Sequence, residues 1–401
     1  MDLRAARIEN LPLFLSAEET FLLPSVSSSS LDARLLNFQH SRVACPGAKI
    51  KATGSVNADI KCLDDNQIGL IPDDPGVSGR IVSFKELDCT RSIRERVQET
   101  DAACGPGGQG LYAHIGWYPE SRSHSQFHRQ ITVCHDKVKE HTYFANHTLY
   151  GSAIDARNSE AERPGHFKEG PFYDKSAADA SYKLRNQKHT LKIHLGEETG
   201  EKVFDQRASL FLAKGHLSPD ADFIYKEWQD ATYYFANVAP QWQAFNNGNW
   251  KYIEQAVRSY AKGSDARIDV YTGTLGTLKL EDDDGVGRKL FLGRTLTEEN
   301  SDKPIKDSSA EEFDLIPVPE FYWKIAHDPV QDRAIVFIGL NNPFFQGDPE
   351  REATICPDIC AEAKWFFLSQ KDVGKGYMYC CSYFDFKGVI DWVPELSLIH
   401  I

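Results

Sequence analysis

Apolar and polar positions change their spacing several times along the chain, and the clearest helical spacing lies near its middle. Four apolar residues recur there at intervals of three, four and three positions: Trp250, Ile253, Val257 and Tyr260. This spacing places them on one face of a helix. Asn side chains before Trp250 can cap free N–H groups, and Gly263 is typical of a helix end. The pattern predicts a helix from Asn247 to Gly263.

The rest of the chain has the shorter, alternating pattern of strands. Residues 1–105 contain short apolar segments between clusters of Gly, Pro, Asp and Ser, with little helical spacing. Longer alternating segments follow at 130–136, 141–151, 267–276, 319–328 and 333–343. We predict an α+β fold in which helices flank a central antiparallel sheet, preceded by a small β-rich domain that contains disulfides. The expected division is 1–105 for the β-rich domain, 106–390 for the main domain and 391–401 for a tail.

Composition limits the classes of partner. The 401 residues, 41% of them hydrophobic, can bury a large core. No apolar run approaches the length of a membrane helix, so we expect no membrane partner. The net charge of −13 argues against a polyanion partner unless a local basic surface exists. The best candidate is 175–192, where five Lys and Arg residues accompany a single Asp; a solvated face is the alternative interpretation.

Nine cysteines are spread along the chain in a way that suits disulfides. Four lie near the C-terminal end: Cys356, Cys360, Cys380 and Cys381. We expect two disulfides that join the first two of these to the last two, with the connectivity open; a zinc site is the alternative. Five cysteines in the first third leave one unpaired. Disulfides favour an oxidising compartment, although no signal peptide is evident, and we expect both termini to be incomplete.

The candidate chemistry lies in a stretch that sets polar side chains between aromatic ones. AKGH occupies 213–216, NVAPQ occupies 237–241, NNGNW occupies 246–250, and Glu254 follows in the predicted helix. In this order and spacing the motifs resemble the DNA/RNA non-specific endonuclease family, and the run KGHLSPDAD is similar to its arthropod branch of duplex-specific and double-stranded-RNA nucleases. The resemblance covers roughly residues 105–390. Ala213 and Lys214 depart from the Asp and Arg of the family motif.

The resemblance implies hydrolysis of phosphodiester bonds at a ββα-metal finger, built from the strand before His216 and the helix after it. Neutral His216 is expected to be the general base, since imidazole can accept a proton near pH 7. Asn246 is the expected direct ligand of Mg²⁺, with Mn²⁺ as a second candidate ion, and Glu254 is expected to orient the waters around the ion. These three side chains should converge in one cleft.

Further residues are expected to support this chemistry. Arg157, in the polar loop 153–167, and Lys214 would stabilise negative charge on the phosphate; Arg163 is the alternative to Arg157. Asn237 and Gln241 are expected to be scaffold amides that fix the loop of Asn246.

The function expected from these features is that of a secreted, Mg²⁺-dependent, sugar-non-specific endonuclease. Its substrate is DNA and/or double-stranded RNA, which the sequence does not rank, and its oligomeric state is open. One alternative is a secreted nucleic-acid-binding homologue without catalysis, motivated by the substitutions at 213 and 214. The other is an organellar nuclease like endonuclease G, which the nine cysteines and the β-rich N-terminal region oppose.

Overall fold

Short strands dominate the part of the chain that the structure describes. The computed structural model describes residues 8–27, 30–35, 39–64, 67–119, 126–173, 177–264, 266–293, 315–365 and 367–396. The helices within these ranges are α1 (Ala177–Tyr182), α2 (Leu184–Leu195), α3 (Glu197–Lys202), α4 (Lys226–Asp230), α5 (Gln243–Phe245), α6 (Lys251–Ser264), α7 (Pro349–Glu352) and α8 (Tyr383–Val389). No helix in these ranges is long and apolar enough to cross a bilayer.

An eight-stranded antiparallel sheet forms the centre of the molecule. Its strands, in spatial order, are β21 (Met378–Ser382), β20 (Arg333–Leu340), β19 (Phe321–Asp328), β14 (Arg267–Leu275), β11 (His141–Tyr150), β10 (His128–Asp136), β9 (Gly110–Trp117) and β8 (Arg96–Cys104). All eight residues of β19 are buried, because both faces of the sheet are covered at its middle. The predicted α+β fold with a central antiparallel sheet is confirmed.

A five-stranded sheet forms most of the N-terminal region. Its order is β1 (Leu13–Ser16), β4 (His40–Ala44), β5 (Asn57–Cys62), β6 (Gln67–Pro72) and β7 (Arg80–Ser83). A separate pair, β2 (Ser25–Ser27) with β3 (Ser30–Leu35), contacts the helical turn Gly151–Ala156. A buried disulfide joins Cys45, which directly follows β4, to Cys89. The predicted domain division stays a prediction; β8, the last strand before residue 105, pairs with β9 in the large sheet. The N-terminal region also contacts the large domain, where the rings of Phe21 and Trp228 lie 4.6 Å apart.

The predicted finger consists of a hairpin, a wide turn and a helix. Strands β12 (Leu212–His216) and β13 (Val238–Trp242) are antiparallel, with Gly215 opposite Ala239, and the turn Asn246–Trp250 leads into α6. Ile253 and Val257 face the core, as their spacing predicts. The helix begins at Lys251 rather than at Asn247, because Gly248 has non-helical angles (φ −92°, ψ −123°).

Three small hairpin elements complete the described strands. They are β15 (Lys279–Glu281) with β16 (Gly287–Lys289), and β17 (Phe291–Gly293) with β18 (Leu315–Pro317), besides the β2–β3 pair. The β15–β16 hairpin contacts helix α3, because Asp283 in its turn accepts hydrogen bonds from the backbone N–H groups of Glu198 and Thr199.

Eight of the nine cysteines form disulfides. Besides Cys45–Cys89, the pairs are Cys104–Cys134, Cys356–Cys381 and Cys360–Cys380, and Cys62 is free. The predicted pairing of the C-terminal cysteines in two disulfides is confirmed, as is one unpaired cysteine among the first five. Asp358 lies near the sulfurs of Cys360 and Cys380, but those sulfurs are bonded to each other, which removes the zinc alternative.

Candidate functional site

His216 ends strand β12 with its imidazole between two aromatic rings. The ring centres of Phe167 and Tyr233 lie 5.3 and 5.1 Å from that of His216. Its Nε2 is buried and makes no hydrogen bond with any described residue. Burial lowers the pKa of His216 to about 4; the Asp220 carboxylate opposes this change and the Arg163 guanidinium adds to it. The imidazole is therefore neutral at pH 7 and has a nitrogen that can accept a proton.

Two buried amides hold the strand end that carries His216. Asn237 Oδ1 accepts from the backbone N–H of Ser218 (3.0 Å), and its Nδ2 donates to the carbonyls of Ser218 and Thr232 (2.9 Å each). Gln241 packs against Gly215, where an added Cβ would lie 2.4 Å from Gln241 Oε1. Both amides thus contact the His216 segment, whereas the sequence had suggested that they fix the loop of Asn246.

A buried charge network under the same segment is absent from the sequence prediction. Asp222 accepts hydrogen bonds from His147 Nε2 (2.9 Å) and Arg258 Nη1 (2.7 Å), and His147 Nδ1 accepts from the Ser218 hydroxyl (2.9 Å). Burial alone would raise the pKa of Asp222, but these partners lower it, so the carboxylate stays ionised. Two features of the sequence could have indicated this network. Asp222 follows His216 by six positions, and Arg258 lies one helical turn after Glu254.

Asn246 opens the wide turn before α6 and is half-buried. Its Nδ2 donates to Gln243 Oε1 (3.2 Å), and its amide oxygen accepts no hydrogen bond from the described residues. Asn249, in the same turn, donates to the carbonyls of Ser369 and Gly376 (2.7 Å each) and accepts from the Ser369 hydroxyl (2.8 Å). The C-terminal segment therefore fixes the turn that presents Asn246.

Glu254 lies in the first turn of α6, half-buried, and its carboxyl group makes no hydrogen bond or ion pair with a described residue. Burial raises its pKa to about 7, with Lys324 and Arg258 opposing the rise and Asp222 and Asp220 adding to it. Asp220 thus acts on the pKa of both His216 and Glu254, so the end of β12 and the start of α6 share one electrostatic environment.

Lys324, on β19, is a second feature that the sequence did not reveal. The side chain is fully buried, and burial lowers its pKa. Its Nζ donates to the Thr272 hydroxyl and lies 5.3 Å from the centre of the Trp250 ring. No sequence signal marks this lysine, because its neighbours in the network come from other strands and from α6.

The predicted phosphate-binding residues lie in different settings. Lys214 Nζ lies 3.3 Å from Asp179 Oδ1 and 5.1–5.4 Å from the ring centres of three aromatic residues: Phe167, Tyr182 and Phe235. Arg157 is half-buried after the helical turn Gly151–Ala156, and its backbone N–H donates to the Ile154 carbonyl. Arg163, the alternative, is 77% exposed and lies with Nε 3.3 Å from Asp220 Oδ2.

The basic strip predicted at 175–192 is weaker than its sequence suggests. Lys188 Nζ lies 2.6 Å from Glu201, and Lys192 Nζ lies 2.8 and 2.9 Å from Glu197 and Glu201. Both carboxylates belong to α3, which packs on α2. Lys175 lies outside the described residues. Two of the five cations are therefore neutralised locally.

Asn246 and Glu254 carry the kind of donor atoms that a hard divalent cation requires, and their convergence with His216 in one cleft stays a prediction. Asn246 offers an amide oxygen without a hydrogen-bond donor, and Glu254 is a half-buried carboxyl group without a partner among the described residues. Oxygen ligands of this kind are those that Mg²⁺ prefers. A cation here would also offset the unfavourable burial of the Glu254 carboxylate.

Comparisons with known proteins identify the family of the chain. The sequence model of the family described as DNA/RNA non-specific endonuclease matches residues 116–386. The chain is 32% identical over 276 residues to a salivary endonuclease of Lutzomyia longipalpis, covering 69% of this chain and 58% of that protein. It is 24% identical over 389 residues to salivary protein Tsal2A of Glossina morsitans morsitans, covering 96% of this chain and 86% of that one.

A solved structure, the crystal structure of the EndoG/EndoGI complex, is similar at 16% identity with a TM-score of 0.34, covering 62% of this chain and 85% of that one. The match to the family model spans more than half of the chain and includes the hairpin, the turn and the helix described above. The chain belongs to the DNA/RNA non-specific endonuclease family.

Proposed function

We propose that the protein is a secreted endonuclease that hydrolyses phosphodiester bonds of DNA and/or double-stranded RNA with the help of Mg²⁺, or of Mn²⁺ in its place. One observation carries the proposal. Among the described residues, neither the buried Nε2 of the neutral His216 nor the carboxyl group of Glu254 has a hydrogen-bonding partner, and Asp220 acts on the pKa of both groups. Family membership supports the same chemistry.

In this proposal a residue of the chain, His216, accepts the proton of the attacking water. Water attacks phosphorus and its proton passes to His216 Nε2 as the new P–O bond forms. The bond from phosphorus to the leaving oxygen breaks, and that oxygen takes its electron pair and gains a proton from solvent. General-base catalysis of this kind contributes about 10²–10⁴-fold to the rate. A bound divalent cation would relieve negative charge on the phosphate. Asn246 would hold that cation through its amide oxygen, and Glu254 would orient the surrounding waters.

Basic residues would bind the polyanion despite the net charge of −13. Arg157 and Lys214 remain the proposed contacts to phosphate, with Asn237 and Gln241 in supporting positions behind His216. Binding through such contacts releases counterions, so affinity should fall as salt rises. The four disulfides and the salivary relatives support secretion over the organellar alternative.

A second candidate function is binding of nucleic acid without hydrolysis. The observation in its favour is Lys214, whose ammonium group lies among three aromatic rings and beside Asp179. The family motif has an arginine at this position, and the lysine found here has other partners. The two candidates differ in whether duplex DNA or RNA is cut in the presence of Mg²⁺ and spared in EDTA.

Two variants separate the base from the ion ligand. His216→Ala removes the base and leaves the ion site, so turnover should fall steeply at every Mg²⁺ concentration while ion binding survives. Asn246→Ala removes the direct ligand, so excess Mg²⁺ should recover part of the rate. Asn247→Ala, which changes an exposed neighbour in the same turn, is the matched control. Recovery of His216→Ala by Mg²⁺, with none for Asn246→Ala, would reverse the two assignments.

A further inference from the structure

A pair of stacked aromatic rings lies at the surface beside the turn that presents Asn246. The rings of Tyr252, in the first turn of α6, and Phe367, in the C-terminal segment, have their centres 5.5 Å apart and their planes 29° apart. Tyr252 is 54% exposed, and Leu368, next to Phe367, is fully exposed. This ring pair and its neighbour form an exposed apolar patch, which is the kind of surface that marks an interaction site.

Hydrogen bonds hold the ring pair against the turn. Asn249 Nδ2 donates to the Ser369 carbonyl (2.7 Å), and the Ser369 hydroxyl donates back to Asn249 Oδ1 (2.8 Å). Asn249 is fully buried and lies three positions before Tyr252, and Ser369 lies two positions after Phe367. Both rings are therefore fixed to the turn, and their surface is already formed in the free protein.

Two lysines flank the ring pair. Lys251, the residue before Tyr252, is exposed; its Nζ donates to a side-chain amide of the turn (3.3 Å) and forms no ion pair within the described ranges. Lys375 packs against the turn at Gly248, is 56% exposed, and lies with Nζ 3.7 Å from Asp372 Oδ2. Cations beside exposed rings are the combination that binds single-stranded nucleic acid, because the cation contacts the backbone and the ring stacks on a base.

The ring pair lies on a different side of α6 from Glu254. Successive residues of an α-helix are about 100° apart, so Tyr252 and Glu254 point in directions that differ by about 160°. A helix with its side chains is about 10–12 Å wide. Since a nucleic-acid strand advances about 3.4 Å per nucleotide, the ring pair lies about three nucleotides from the one that is cut.

We propose that the ring pair Tyr252–Phe367, with Lys251, binds an unpaired nucleobase of the substrate strand outside the point of cleavage. The inference rests on the proposed function and adds to it a binding subsite for single-stranded segments. A base extends the stack on its exposed side, and the lysine contacts the adjoining phosphate. Stacking uses the face of the base, which DNA and RNA share, so this subsite accepts both. Bases inside an intact duplex are stacked on one another, so single strands, loops and ends bind here in preference to paired segments.

Binding can be measured apart from hydrolysis. In EDTA, fluorescence anisotropy with a labelled 20-nucleotide single strand, of DNA or of RNA, gives affinity without turnover. Tyr252→Ala should weaken binding about fivefold or more and leave the slope of log affinity against log salt unchanged, since no charge is lost. Lys251→Ala should reduce that slope by about 0.7. Tyr252→Phe keeps the ring and should retain the affinity of wild type.

Two altered strands separate contact with a base from an effect on the fold. An abasic strand of the same length keeps the phosphates and lacks the bases, so Tyr252→Ala should cause no further loss of affinity for it. A strand that contains 2-aminopurine should lose fluorescence when its base stacks on wild type, and should lose less on Tyr252→Ala. Phe384→Ala, which removes a 43% exposed ring from α8, is the matched control and should bind every strand like wild type.

The outcomes separate the inference from the proposed function. If wild type binds single strands in a Tyr252-dependent manner but cuts neither DNA nor RNA in Mg²⁺, the nuclease proposal fails and the subsite stands. If wild type cuts nucleic acid and Tyr252→Ala keeps wild-type affinity for strands with bases, the subsite is wrong. An equal loss on strands with and without bases would also overturn it, because the tyrosine would then act on the fold. Sedimentation in which Tyr252→Ala abolishes self-association and keeps strand affinity would assign the patch to a second copy of the chain instead.

Discussion

Replacing Glu254 with Gln should stabilise the folded chain at neutral and alkaline pH while impairing the proposed activity. Burial raises the pKa of this carboxyl group from 4.5 to about 7. The folded chain therefore holds a proton that the unfolded chain has already released between these pH values. The stability that this proton confers is complete below pH 4.5 and is lost as the pH rises through 7.

The magnitude follows from the size of the pKa change. A rise from 4.5 to about 7 corresponds to about 3 kcal/mol. Because the side chain keeps some contact with water, we expect about 2 kcal/mol. Gln keeps the shape of Glu without a charge, so above pH 7 the variant should be more stable than wild type by this amount. Near pH 4.5 the two should be nearly equal.

Urea unfolding in EDTA, with disulfides intact, measures the difference between pH 4.5 and 8.5. EDTA removes divalent cations, which would otherwise offset the unfavourable burial of the Glu254 carboxylate. Glu201→Gln is a control of opposite sign, because hydrogen bonds from Lys188 and Lys192 lower the pKa of Glu201; it should gain no stability at high pH. A Glu254→Gln difference that is absent at pH 8.5, or the same at every pH, would refute the reasoning.

Three further predictions concern packing, thiol content and the buried lysine. Gly215→Ala should cost about 1–3 kcal/mol in thermal unfolding, since its Cβ would meet Gln241, whereas Gly263→Ala, in open space on α6, should gain about 0.5–1 kcal/mol. Alkylation of the unreduced, denatured chain should modify Cys62 alone, as read by intact mass, against nine cysteines after reduction. Lys324→Met should raise the pKa of Glu254 further, which the same urea series would detect at higher pH.

Local signals in the sequence were enough for the elements that carry the proposed site. The spacing of Ile253 and Val257 follows from burial of one helical face, and that burial is observed. The helix begins four residues after the predicted Asn247, because Gly248 has non-helical angles where its Cα lies against the backbone of Lys375. That contact joins positions far apart in the chain, and no local pattern contains it.

The buried charge networks could not be predicted from the sequence either, because their members also lie far apart in the chain. Asp222 is ionised because His147 and Arg258 surround it, and these come from a sheet strand and from α6. In the basic strip at 175–192, Lys188 and Lys192 form ion pairs with carboxylates of the next helix, α3. The positions of the C-terminal cysteines predicted that all four would form disulfides, but not which cysteine pairs with which. The pairing depends on how the loop before β21 lies against that strand.

The C-terminal segment that holds Asn249 has a consequence for timing during synthesis. Chains emerge from the ribosome N-terminus first, so His216, Asn246 and Glu254 are all made well before Ser369 and Gly376. The turn that presents Asn246 gains its hydrogen bonds from Asn249 only after these later residues have been made. The turn that presents Asn246 therefore takes its final form late in synthesis, although the residues of the turn itself emerge more than a hundred positions earlier.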